Sequence, residues 1–175
     1  PPLGIGVGPD EIAQNCNIIT FHTPLTNDGP YPTYHLADEA FLSQCKPDVL
    51  LINAARGGVL DEQAVLRHKQ TPQGQGMRLC IDCWEGEPAI NHALVQAADL
   101  ASYHIAGYSL AGKMRASEMC LQALCRFFAL PALSINKKAV SLQGDSSKGW
   151  LSRVCQQLKT HPDQFEQLRK QYKLR

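Results

Sequence analysis

The chain has 175 residues, 44% of them hydrophobic and 19% charged, with a net charge of +1; this is enough for one domain with a real core and excludes collagen-like and disordered chains. No apolar run approaches the ~20 residues that span a bilayer, and no charged-then-apolar leader is present, so a soluble cytoplasmic protein is expected. Seven cysteines, at 16, 45, 80, 83, 120, 125 and 155, are odd in number and lack framework spacing, as free thiols in a reducing compartment do.

The chain opens Pro1-Pro2 rather than with Met, so it is expected to be part of a longer protein. Glycines at 4, 6 and 8 imitate a dinucleotide-binding fingerprint, but no strand precedes them and the third glycine is wrongly spaced. Pro9 with Asp10 and Glu11 starts a short helix to about Asn15. Residues 17–22 read as a strand that Thr23-Pro24-Leu25 ends, and residues 26–35 as a surface loop. A short helix over 38–45 leads to a strand at 49–52, and Asn53-Ala54-Ala55-Arg56-Gly57-Gly58 follows it. Asp61 caps a helix to about Lys69. A strand at 79–82, a helix at 92–97 and a short strand at 100–102 complete the alternation. That alternation predicts a parallel sheet covered on both faces, amounting to the second half of a doubly wound α/β domain.

Beyond it, Met114, Leu121, Leu124, Cys125 and Phe128 recur at helical spacing, predicting an amphipathic helix over 111–128 that Pro131 stops. A weak strand at 139–142, a Gly-Asp-Ser-Ser linker and helices over 148–159 and 162–172 make a small α+β appendix. Residues 133–175 hold nine Lys and Arg against three Asp and Glu, while residues 1–132 hold eight against thirteen. The basic residues are dispersed among Gln and Leu, which reads as a solvated helical face rather than a nucleic-acid surface.

The chemistry gathers at three turns. Glu87 and His104 each follow a short apolar run, as expected of neighbouring strands whose C-terminal ends open on one crevice. A carboxylate beside an imidazole favours the protonated ring and makes a proton-transfer pair. Glu87, immediately before Pro88, is preferred for this over Glu85. Arg56 follows a buried-strand signal, and its planar fork suits a 2-hydroxy or 2-oxo acid. Cys80 and Cys83 lie at the strand 79–82 and point to opposite faces, so they do not share a metal.

The ordered stretches Phe21-His22-Thr23-Pro24-Leu25, Ile52-Asn53-Ala54-Ala55-Arg56-Gly57-Gly58, Ile81-Asp82-Cys83-Trp84-Glu85-Gly86-Glu87-Pro88 and His104-Ile105-Ala106-Gly107 resemble the D-2-hydroxyacid dehydrogenase superfamily. The resemblance is close over residues 9–132 and looser beyond. Within the superfamily, residues 84–88 and 104–113 resemble a branch that oxidises 4-phosphoerythronate with NAD on the route to pyridoxal 5′-phosphate.

The resemblance implies roles residue by residue. Arg56, Glu87 and His104 are the catalytic set. Thr23 borders the adenosine half of NAD; Ala54, Ala55, Arg56 and Gly107 contact the cofactor, and Asp82 accepts from the nicotinamide carboxamide. Tyr108 holds the phosphorylated end of the substrate, with Lys113 a second candidate. It also implies a homodimer. Residues 1–110 would be the C-terminal half of the NAD-binding domain, 111–132 a helix returning to the substrate domain, and 133–175 a partial dimerisation region. The glycine-rich fingerprint loop would precede Pro1, and these residues alone are expected to be inactive. Alternatives are a phosphoglycerate- or hydroxypyruvate-type dehydrogenase, or a non-catalytic NAD-sensing binding protein.

Overall fold

The three helices that connect the strands begin where a short acceptor side chain meets free backbone N–H groups. Asp38 accepts from Phe41 N at 2.9 Å, Asp61 from Ala64 N at 2.9 Å, and Asn91 from Ala93 N and Leu94 N at 3.1 and 3.3 Å. In the computed structural model, which describes residues 6–133 and 149–172, the elements run α1 (Pro9–Asn15), β1 (Ile18–Phe21), α2 (Glu39–Gln44), β2 (Leu50–Asn53), α3 (Glu62–Lys69), β3 (Arg78–Ile81), α4 (His92–Ala97), β4 (Leu100–Ala101), α5 (Leu110–Phe127), α6 (Trp150–Thr160) and, after a 3-10 turn at Pro162–Gln164, α7 (Phe165–Gln171). The weak strand expected at residues 139–142 lies outside the described residues.

All four strands are parallel and stand in the order β1-β2-β3-β4. Because the order never reverses, right-handed crossovers put α2, α3 and α4 on the same side. Burial alternates accordingly. In β1, Ile19 and Phe21 are buried while Ile18 is 61% exposed, and in β3 Leu79 and Ile81 are buried while Arg78 is exposed. This corrects the expectation of a sheet covered on both faces: among the described residues the helices bury one face, and the long apolar runs read as two-sided strands.

The core joins Leu51, Leu79, Ile81 and Ala101 of the sheet to Phe41 and Leu42 of α2, Val65 of α3 and Leu94 of α4. It extends into α6 and α7 through Val154, Leu158 and Phe165. Helix α6 lies along β4, where Ala101 N donates to Cys155 Sγ at 3.3 Å and Lys159 Nζ to Ala98 O at 2.5 Å. The sheet edge at β4 is thus covered by a helix.

Helix α5 forms over the expected span, and most of its apolar stripe is left unburied. Only Cys125 is buried, while Leu124 and Phe128 are 51% and 59% exposed, because none of the described elements packs along its length. Among the described residues no helix is long and apolar enough to cross a membrane. Cys80, in β3, is a partly buried free thiol, and Cys83, past the end of the strand, is a buried one.

Candidate active site

The loops after β2, β3 and β4 meet at the C-terminal end of the sheet, where crevices form in parallel α/β folds. The first is pinned by Asn53, 2% exposed, whose amide donates to Arg56 O at 3.0 Å and Cys83 O at 3.2 Å and accepts from Ala55 N at 3.2 Å. Gly57 then passes so close to the Trp84 carbonyl that any Cβ would overlap it. Arg56 is left at the surface of the crevice. Its guanidinium donates to Ala55 O at 2.6 Å and has no acidic partner among the described residues.

The second and third loops bring Glu87 to His104. Oε1 of Glu87 accepts from Trp84 N at 2.8 Å, and Oε2 lies 2.9 Å from His104 Nδ1. An ionised carboxylate only accepts, so Nδ1 carries the proton and Nε2 is left as a base. Glu85, the second candidate, is turned the other way, towards His35 and Tyr34.

His104 sits in the left-handed region at φ 59°, a conformation costing a non-glycine residue about 1 kcal/mol. Asp82 holds it there. This aspartate is 6% exposed and accepts from Ser102 Oγ at 2.6 Å, Ile105 N at 2.8 Å and Ala106 N at 2.9 Å. The residue expected at the nicotinamide therefore shapes the turn that presents His104, and its Oδ2 also accepts from the Cys83 thiol at 4.0 Å. Trp84 braces the same turn, its indole donating to Ser102 O at 2.8 Å.

Arg56, Glu87 and His104 share one cleft of about 290 Å³, with Leu25, Tyr34, Gly57, Gly58, Trp84, Glu85 and Gly86 as its other walls. Tyr108 is outside it, 42% exposed, with Lys113 Nζ lying 3.7 Å from its ring centroid. The neighbouring Cys83 thiol is no nucleophile. Burial, with help from Asp82 and Glu87, pushes it up to about 12.

Two features went unread in the sequence. Glu62, only 5% exposed, accepts from Glu85 N at 2.7 Å, and burial, aided by Glu85 and Glu87, raises its carboxyl to about 7. As the first residue after the Asp61 cap it looks like an ordinary first-turn acid. His35, in a loop expected to be a surface excursion, contacts Glu85 at 3.1 Å and Asp61 at 3.7 Å. Nothing in the local spacing signals either contact.

Residues 4–106 match the D-isomer specific 2-hydroxyacid dehydrogenase family, NAD binding domain. The chain belongs to this family. It is 37% identical, over 93% of its length, to erythronate-4-phosphate dehydrogenase of Salmonella paratyphi A. The chain spans about half the length of the curated relatives it matches, 48% in that case. It is also similar to the NAD-dependent formate dehydrogenase of Staphylococcus aureus solved with NAD, at 27% identity and TM-score 0.52 over 75% of this chain and 38% of that one. A glyoxylate reductase from Paecilomyes thermophila shares the fold at TM-score 0.56 and 21% identity, over 77% of this chain and 40% of that one.

NAD is the cofactor of a D-isomer specific 2-hydroxyacid dehydrogenase domain, and this chain's residues fit it. Thr23 Oγ1, at the end of β1, is buried with no hydrogen-bond partner, an orphan that a ligand would satisfy. Ala54 and Ala55 leave room after β2, and a Cβ on Gly107 would meet nothing within 4 Å.

Proposed function

We propose that this site belongs to an NAD-dependent dehydrogenase that oxidises 4-phospho-D-erythronate at C2 to 2-oxo-3-hydroxy-4-phosphobutanoate, a step of pyridoxal 5′-phosphate biosynthesis. The observation that carries the reaction type is the convergence of Arg56, Glu87 and His104 on one cleft. The substrate rests on the 37% identity to proteins of that name and on a phenol, Tyr108, four residues beyond His104.

NAD, when bound, supplies the hydride acceptor for C2. Arg56 holds the substrate carboxylate through two parallel N–H donors and polarises the C2 oxygen. His104 Nε2 takes the proton of the 2-hydroxyl as the carbonyl forms and later releases it to water. Glu87 fixes the ring through Nδ1 and balances the imidazolium charge. Asp82 keeps the His104 turn in place, and its carboxylate is the acceptor for the carboxamide, in place of the long contact from the Cys83 thiol. Thr23, Ala54, Ala55 and Gly107 line the cofactor, and Tyr108 meets the substrate tail.

The whole protein that carries these residues is expected to form NADH with 4-phospho-D-erythronate, at a kcat/KM about tenfold or more above that for 3-phosphoglycerate. Better turnover of 3-phosphoglycerate or of hydroxypyruvate would leave the chemistry and remove the substrate. The same reading makes the protein a homodimer, supported by exposed Phe127, Phe128, Leu130 and Leu133 at the entry to residues 133–175. Sedimentation of a monomer at micromolar concentration would count against it.

A further inference from the structure

Helix α7 has two working faces. Phe165, Leu168 and Tyr172, at helical spacing, turn inward: Phe165 is 1% exposed, Leu168 packs on the core, and the Tyr172 ring centroid lies 6.0 Å from that of Tyr103 and 6.3 Å from that of Tyr108. That packing fixes the neighbouring stripe. Glu166, Arg169 and Lys170 line a second cavity, of about 360 Å³, together with His104, Ile105 and Tyr108. His104 is therefore a wall shared by two cavities, with Arg56 in one and a pair of cations in the other.

The charges in the second cavity do not cancel. Arg169 and Lys170 share one carboxylate, Glu166, at 3.6 and 3.5 Å. These separations exceed a close charge-assisted hydrogen bond, and exposed pairs of this kind hold weakly. Lys113 does not line this cavity, but its Nζ lies on the ring of Tyr108, which does. A substrate with its carboxylate on Arg56 and its hydroxyl at His104 that extends past His104 enters the side with Tyr108 and α7, which carries excess positive charge.

We infer that α7 and Tyr108 form the receptor for a second anionic group of the substrate, a phosphate monoester at the end remote from its carboxylate, with Arg169 and Lys170 as the binding cations. The inference rests on the dehydrogenase reading above and deepens it. Arg169 offers a planar fork to two phosphate oxygens, and Lys170 a point charge to the third. Glu166 stores both cations when no anion is bound and competes with it when one is.

The test compares 4-phospho-D-erythronate with unphosphorylated D-erythronate in the whole protein, as a ratio of kcat/KM values. In Arg169→Gln and Lys170→Gln that ratio should fall about tenfold, through KM of the phosphorylated acid. In Glu166→Gln it should rise a few-fold, a gain that mere loss of a surface ion pair would not give. Equal losses on both substrates, or an unchanged ratio in all three variants, would overturn the inference. If the wild type shows no preference for the phosphorylated acid, the substrate reading fails by itself. Calorimetry with inorganic phosphate then decides the receptor: binding that is weakened in Arg169→Gln and strengthened in Glu166→Gln keeps it, and no binding to wild type removes it.

Discussion

Two histidine–carboxylate pairs stand beside the same cleft. His104 meets Glu87 at 2.9 Å and His35 meets Glu85 at 3.1 Å; the two rings are 29% and 28% exposed, and both residues lie at positive φ, 59° and 51°. What separates them is the second ring nitrogen. On His35 it faces Asp61 at 3.7 Å, and the ring is stacked on Tyr34 with centroids 3.9 Å apart, so both nitrogens are committed to carboxylates. On His104 the second nitrogen has no partner among the described residues and belongs to the wall of the cleft that holds Arg56. A pair becomes a proton shuttle when one valence is left over, and a strut when none is.

The largest effect should come from the pair with the spare valence. His104→Gln is expected to lower kcat by about 10² to 10⁴ through loss of the base, with NAD affinity little changed. Rapid-quench turnover and calorimetry on the whole protein measure the two separately. Normal turnover would move the shuttle elsewhere.

Glu62, which feels both Glu85 and Glu87, comes next. Its folded-state value near 7 lies above the ordinary 4.5, so the native state keeps a proton that the unfolded chain has released. Stability is then full below about 4.5 and is lost as pH rises through about 7, by about 3 kcal/mol. Glu62→Gln should remove this slope in urea denaturation, becoming the more stable form as pH rises. Parallel pH profiles for the two proteins would show that Glu62 does not retain its proton.

Arg56→Lys keeps the charge and loses the fork. An increase of about tenfold in substrate KM, larger than the change in kcat, is expected in steady-state assays. The smallest effect should come from the strut. His35→Gln is expected to change kcat less than about twofold while costing about 1 kcal/mol in thermal unfolding, the net worth of its hydrogen bond. A loss of activity comparable to that of His104→Gln would abolish the distinction between the pairs.

The alternation of strand and helix was legible because the caps Asp38, Asp61 and Asn91 and the strand-ending Pro24 are local signals. The order of Arg56, Glu87 and His104 was legible too, since each sits in the loop that follows a strand and these loops converge at one end of a parallel sheet. Contacts with no periodicity were not. Glu85 and His35 are 50 residues apart, and Asp82 reaches the amides of Ile105 and Ala106 across 23 and 24. Arg169 and Lys170 read as a solvated stripe because the docking of α7 depends on α6 packing on β4, a tertiary fact absent from the helix's own pattern.

Trp84 touches all three site loops: its amide holds Glu87, its indole holds the turn before His104, and its carbonyl is the surface against which Gly57 passes. It is also one of only two tryptophans in the chain, the other being Trp150 in α6. This gives the candidate site a reporter of its own. An indole 2% exposed emits at short wavelength, where reduced nicotinamide absorbs, so a Trp150→Phe protein would carry a single fluorophore whose quenching follows cofactor occupancy in real time. Small shifts of that emission would register each tightening of the loops, without a label and without waiting for turnover.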